Sequence, residues 1–312
     1  METRLLGRTG TSVSVLGFGG MELRGPPRAP ALDDAEAAAL MGAVLDGGIN
    51  VIDTSVDYGK SEEVLGRTLQ SRRDEVFLCS KCGCSLDPTA GQAGPYEHDW
   101  RPANIRAGIE RSLRRLATDR LDLLQVHMSP SRSQLEADGT IEVMRALQDE
   151  GKVRFLGMSG TLPNLPDHLA MGVFDVFQIP YSAVQREHED LITAAAHAGA
   201  GTLIRGGSAR GGPAEPGGRD RDPLGMPPGE ARRRWDAARM DDLLDGMSHL
   251  EFLLRFTISH PALSSAIVGT SNVAHVRANL AIVEKGPLPA DLYEAAKQRL
   301  EPGPVRSDQP PA

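Results

Sequence analysis

Four side chains in this sequence are of types suited to moving a proton at a carbonyl group: Asp53, Tyr58, Lys81 and His127. A free phenol ionises near pH 10, so it is a weak acid at neutrality. A neighbouring ammonium favours the phenolate, lowers that value and strengthens the phenol as a proton donor. A lysine that must stay charged while partly buried gains from a carboxylate, and Asp53 is available. A neutral histidine can donate a hydrogen bond to a carbonyl oxygen and fix its orientation. Such a group of residues suits reduction of a carbonyl by hydride from a cofactor. Taken singly, each has a plainer role: a loop cap for Asp53, a solvated charge for Lys81, a packing ring for Tyr58, a backbone-satisfied imidazole for His127. The functional reading rests on their convergence.

Convergence depends on the elements that carry them. Short apolar runs are expected as strands at 13–18, 49–53, 76–80, 122–127, 153–159, 176–180, 202–205 and 266–269. Helical stretches separate or follow them at 33–47, 61–71, 102–117, 140–150, 164–171, 187–199, 241–260 and 272–284. Asp33 and Glu36 form a capping-box-like start, and Gly47-Gly48 stops the first helix. Strands of this kind joined by helices imply a parallel sheet covered on both faces. Eight units in a row predict an α/β fold, a single (β/α)8 TIM barrel, whose chemistry gathers at the carboxyl ends of the strands. A doubly wound fold would show the same alternation, but no G-x-G-x-x-G joins the first strand to a helix. The segment RLLGRTGTSVSVL leaves room for an N-terminal β-hairpin. The Gly- and Pro-rich stretch 206–234 reads as a long mobile loop at the carboxyl-terminal face of the barrel. One domain is expected over 1–302, with a disordered tail at 303–312.

Composition narrows the classes. The 312 residues carry a net charge of −8, which argues against a nucleic-acid groove. No apolar run approaches the roughly 18 residues that span a bilayer. The start METRLLGRTG lacks the core of a signal peptide, so a cytoplasmic location without membrane attachment is expected. Cys79, Cys82 and Cys84 are an odd, clustered set rather than a disulfide framework. The pair Cys82 and Cys84 lacks the four-ligand spacing of a zinc or iron–sulfur site, so no metal is expected, and two small loop residues are the favoured reading. A redox-sensitive thiol, activated by Lys81, is the sharper alternative. Trp100 and Trp235 fall in loops that could wall a pocket. No uninterrupted apolar helix face marks an oligomer interface.

The segment GINVIDTSVDYGKSEEVLGRTL resembles the most characteristic stretch of the aldo-keto reductases. FLCSKCG is similar to that family's lysine strand, and RSLRRLATDRLDLLQVHM to the segment ending in its histidine. The similarity continues through GKVRFLGMSG, FQIPYSAVQRE and AIVGTSNVAHVRANL, nearly the whole chain. The resemblance implies an NAD(P)H-dependent reductase of a small carbonyl or sugar substrate. Tyr58 would be the general acid, Lys81 its pKa-lowering partner, Asp53 the support of Lys81 and His127 the orienting group. Gly20, Met21 and Asp53 would lie near the nicotinamide ribose, and Ser159, Gly160 and Gln178 near the carboxamide. Arg205 would lie against the ring, with Gly206, Ser208 and Arg210 toward the pyrophosphate. Gly269, Thr270, Ser271, His275 and Asn279 would surround the adenosine and its phosphate.

Three departures bear on these expectations. Gly160 replaces a usual asparagine, Arg205 a frequent aromatic ring, and His275 a frequent arginine that grips the 2′-phosphate. NADPH is the expected cofactor, with NADH as the alternative. An oxidative sugar or alcohol dehydrogenase and a nucleotide-sensing regulatory subunit are the competing functions.

Overall fold

The computed structural model describes residues 1–27, 29–86, 98–208, 212–214, 222–223 and 226–301. Its strands, in chain order, are β1 (Thr3–Leu5), β2 (Ser12–Ser14), β3 (Leu16–Gly19), β4 (Val51–Asp53), β5 (Phe77–Cys82), β6 (Leu121–Val126), β7 (Val153–Ser159), β8 (Val176–Pro180), β9 (Gly201–Arg205) and β10 (Ser265–Val268). Strands β3 to β10 pair in parallel and close into a barrel in sequence order, β10 returning to β3. This is the expected (β/α)8 architecture.

The expected first strand at 13–18 is two strands. Its first part, β2, pairs antiparallel with β1 as the hairpin, whereas β3 enters the barrel. The chain changes partners at Val15, whose N–H donates to Glu2 O while its own carbonyl accepts from Ala266 of the barrel. The hairpin closes the amino end: Leu6 and Val13 join Val51, Phe77, Cys79, Leu123, Val176, Leu203 and Ile267 in one buried apolar cluster inside the barrel. A second, larger cluster lies between the sheet and its helices.

The first helix, Asp34–Asp46, starts on a complete capping box: Glu36 N donates to Asp33 Oδ1 at 2.8 Å and Asp33 N to Glu36 Oε2 at 3.0 Å. The helix expected over 241–260 is shorter. A 3-10 turn, Met240–Leu243, precedes a helix that runs only from His249 to Ile258. Between them Asp245 and Gly246 take positive φ, and Ser248 caps the restart by accepting from Glu251 N. The expected mobile loop over 206–234 also needs correction, because Glu230–Ala237 is helical. Helices at Arg132–Asp138 and Ala290–Arg299 were not foreseen. The expected tail at 303–312 lies outside the described residues. Among the described residues, no helix is long and apolar enough to cross a membrane.

Candidate active site

Alternation along the strands decides what faces the barrel interior. On β5, Phe77 and Cys79 belong to the apolar cluster, so Lys81 continues the same face. By the same parity Asp53 follows Val51, Gln125 follows Leu123, Gln178 follows Val176 and Arg205 follows Leu203. Register aligns these ends, with Lys81 opposite Gln125 and Ser159 opposite Gln178. These five strands therefore change from apolar to polar within the barrel, and the polar groups emerge together at one mouth.

There Lys81 Nζ donates to Asp53 Oδ2 and to Thr54 O, both at 2.7 Å. The other carboxylate oxygen, Asp53 Oδ1, accepts from Gln125 Nε2 at 2.9 Å. Burial pulls the Lys81 ammonium down, but the Asp53 carboxylate and then Tyr58 more than offset it, so its pKa stands above the ordinary value. Lys81 Nζ is 5.0 Å from the centre of the Tyr58 ring. Tyr58 is held by a turn in which its N–H donates to Ser55 O at 3.0 Å and its carbonyl accepts from Ser61 N at 2.8 Å. Gly59 follows at φ +49°, and a Cβ there would meet Arg24 O at 2.4 Å, so this close approach requires glycine.

The expectation that Lys81 gives Tyr58 a lowered pKa is corrected. Burial raises the phenol's pKa, Lys81 opposes it, and Asp53 and Asp57 add to the rise; the net direction is upward. The ammonium limits the rise but does not reverse it. Tyr58 therefore keeps its proton across the neutral range.

His127 directly follows β6, and its backbone N–H donates to Cys82 O at 3.0 Å. Its Nδ1 lies 3.0 Å from Cys84 Sγ, and its carbonyl accepts from Trp100 Nε1 at 3.0 Å. Burial, ahead of an opposing pull from Asp57, holds the imidazole pKa well below its usual value and the ring neutral. The His127 and Tyr58 rings meet edge-on with centres 6.3 Å apart.

The cleft around these groups has an open volume, mouth included, of about 1170 Å³. Asp53, Tyr58, His127, Ser159, Gln178, Arg205, Gly206, Ser208, Met21 and Gly269 line it. Ser159 Oγ donates to Gln178 Oε1 at 3.3 Å, while the buried Gln178 Nε2 has no hydrogen-bond partner among the described residues. Burial lowers the pKa of Arg205, against the pull of Tyr58 and Asp53.

Other expected contacts are placed differently. Gly20 faces away from the lining: a Cβ on it would meet Ser61 Oγ at 2.5 Å, and its neighbours Gly19 and Met21 line the cleft instead. Gly160 packs beneath the following helix, where a Cβ would meet Leu165 Cδ1 at 2.8 Å. Thr270, Ser271, His275 and Asn279 stand outside the lining, around the start of helix Val273–Glu284. There Thr270 Oγ1 and His275 Nδ1 are 3.2 Å apart, and the buried Asn279 Oδ1 has no partner among the described residues. Arg210 lies outside the described residues.

Sequence reasoning missed Gln125, whose grip on Asp53 could have been found from its place two residues before His127 on the same strand. It also missed the Cys84 contact with His127, which has no local sequence signal. The Lys81-activated thiol is overturned. Cys82 points into the apolar layer and burial pushes its thiol up to about 12, while burial also raises Cys79 and Cys84. Trp235 is not in a loop; it is buried in a helix with its Nε1 donating to Asp241 Oδ1 at 2.7 Å.

Known proteins share the sequence pattern and the fold of this chain. The model of the Aldo/keto reductase family matches residues 15–301. The chain is 27% identical over 290 residues to an uncharacterized oxidoreductase of Bacillus subtilis, covering 90% of each chain. It is 30% identical over 297 residues to L-galactose dehydrogenase of Arabidopsis thaliana, covering 91% of this chain and 88% of that one. Among solved structures, the holo form of an aldo-keto reductase from Bacillus halodurans superposes with a TM-score of 0.84 at 28% identity, over 98% of this chain and 99% of that one. A glycerol dehydrogenase from Gluconobacter oxydans gives a TM-score of 0.77 at 26% identity, over 98% of both.

Proposed function

The chain belongs to the aldo/keto reductase family of NAD(P)H-dependent oxidoreductases, and from that premise we propose that it reduces an aldehyde or ketone with Tyr58 as general acid and NADPH as the preferred cofactor. The observation that carries this reading is the buried Lys81–Asp53 pair at 2.7 Å, with the ammonium 5.0 Å from the Tyr58 ring at the mouth of the barrel. A bound dihydronicotinamide supplies the hydride. The residues present fit such a group. Gln178 Nε2 is a buried donor without a partner among the described residues, suited to a carboxamide oxygen, and Asn279 Oδ1 is a buried acceptor suited to an adenine amine.

In this reading, Tyr58 Oη gives its proton to the carbonyl oxygen as hydride reaches the carbon, and an alcohol results. Lys81 stays cationic because Asp53 holds it, so the phenolate left behind forms beside a positive charge. Asp53 is fixed by Gln125 and does not itself take the proton. His127, kept neutral by burial, orients the carbonyl oxygen with a ring N–H. If the Cys84 thiol donates to Nδ1, the proton-bearing nitrogen of His127 is Nε2, which leaves that donor for the oxygen.

Tyr58→Phe tests the acid. Turnover of a carbonyl panel with NADPH should fall by about 10²–10⁴-fold, with cofactor affinity by fluorescence titration nearly unchanged. Full turnover in that variant overturns the mechanism. The similarity to relatives named as dehydrogenases of galactose and glycerol favours one second reading, oxidation of a sugar or polyol by the same residues in reverse. Initial rates with NADPH plus aldehydes against NAD(P)⁺ plus aldoses or polyols separate the two directions.

A further inference from the structure

Beside the proton-transfer residues lies a cluster that this chemistry does not use in full. Cys84, His98 and His127 each offer one donor atom, and these atoms lie within 4.8 Å of one another. We propose that Cys84, His98 and His127 form a binding site for a thiophilic divalent transition-metal ion of the zinc class.

The backbone builds this cluster. Cys84 and His98 face each other across an isolated antiparallel bridge, and Asp99 N donates to Gly83 O at 2.8 Å beside it. Asn104 Nδ2 holds the carbonyl of Cys84 at 3.1 Å. The His98 ring stacks on Trp100, centres 5.7 Å apart and planes 18° apart, and Trp100 in turn holds the carbonyl of His127. The two imidazoles stand nearly perpendicular, at 73°, with centres 5.7 Å apart. Tetrahedral zinc, with bonds of about 2.0–2.3 Å, sets its ligand atoms roughly 3.3–3.8 Å apart. Cys84 Sγ and His127 Nδ1 are already at 3.0 Å. All three atoms lie within 4.8 Å of one another, so side-chain movements of at most about 1.5 Å would bring them to the tetrahedral spacing.

The chemistry selects the ion. One sulfur and two imidazole nitrogens suit zinc and its borderline-soft neighbours, whereas magnesium and calcium want oxygen. Coordination releases the Cys84 thiol proton to solvent, and the resulting thiolate meets half of the ion's charge. A second observation supports a cation here: Asp57 Oδ1 is buried with no hydrogen-bond partner among the described residues, and its carboxylate acts on both imidazoles. On His127 the Asp57 carboxylate is the largest charge effect, ahead of Lys81, His98 and Arg205, which oppose it. Three protein ligands leave a fourth position open. The sequence shows only the Cys82 and Cys84 pair; the two histidines arrive through the fold, and Cys82 takes no part.

The site stands whether or not His127 orients a carbonyl, and its test does not use turnover. The reduced full chain is titrated with Co²⁺, and Zn²⁺ is then added in competition with a chromophoric chelator. One equivalent of Co²⁺ should produce a near-ultraviolet thiolate-to-cobalt absorption band that Zn²⁺ removes. Cys84→Ser should lose the band. His98→Ala should bind Zn²⁺ at least about tenfold more weakly, the loss usual even for an outer-shell partner. Cys82→Ser should behave as the unsubstituted chain. No band in the unsubstituted chain, or a Cys84→Ser or folded His98→Ala chain that binds as it does, overturns the proposal.

Discussion

The two ends of the barrel interior share one backbone and opposite chemistry. At the amino end, Leu6 and Val13 of the hairpin plug a floor built on Val51, Phe77 and Leu123, and Phe77 stacks with Phe155 at 6.1 Å. At the carboxyl end the same strands present Asp53, Lys81, Gln125, Gln178 and Arg205. The floor is stabilised by removing apolar surface from water. The mouth instead contains a desolvated ion pair, whose burial costs free energy that mutual attraction and hydrogen bonds must offset. Substitutions should therefore act mainly on stability at one end and on chemistry at the other.

The largest expected effect sharpens that contrast. Tyr58→Phe should lower turnover by about 10²–10⁴-fold while the thermal midpoint hardly moves, whereas Phe77→Ala should cost about 3–5 kcal/mol of stability with little change in turnover per folded molecule. Denaturant titration beside steady-state rates checks both. Lys81→Met breaks the division deliberately. It should abolish activity and also destabilise by about 3–5 kcal/mol, because Asp53 stays buried without its cation. The double variant Asp53→Asn with Lys81→Met should recover much of the stability and none of the activity.

Gln125→Leu should have a smaller effect, about 1–3 kcal/mol of stability, with a lower kcat and little change in KM, since Gln125 lies outside the cleft lining and acts through Asp53. Two titrations bound the pH range. Burial raises the pKa of Tyr58 in the folded chain, so its stabilisation is complete below the unfolded phenol value of about 10 and lost as pH rises above it. His127 is lowered, so its contribution is present above about 6.5 and lost as pH falls through the folded value. Denaturation across pH should show both slopes, and Tyr58→Phe should reduce the alkaline one, to which the buried cysteines, Tyr181 and Tyr293 also contribute. An effect of similar size belongs to the rim: His275→Arg should shift preference toward NADPH by about 1.5–3 kcal/mol at most, one charged hydrogen bond, read as the ratio of kcat/KM for the two cofactors.

Much of this was legible before any coordinates. Apolar runs at 49–53, 76–80 and 122–127 are strands because β-branched and large apolar residues fit a sheet buried on both faces. Once they are strands, parity sends Asp53 and Lys81 inward. The misreadings have local causes. A change of strand partner at Val15 leaves no mark in hydropathy, and positive φ at Asp245 and Gly246 interrupts what composition offers as one long helix. The helix Glu230–Ala237 was hidden because its exposed face is charged and its neighbours are rich in Gly and Pro.

By itself the sequence determined the period of its elements, hence a parallel barrel, and which polar groups end its strands. Those follow from side-chain type and a two-residue repeat, both local. Tertiary structure alone decided the balance of burial against charge at Tyr58, the hold of Gln125 on Asp53, and the meeting of Cys84 and His98 with His127. Each depends on the distance and dielectric between residues far apart in the chain, quantities that exist only once the strands have closed.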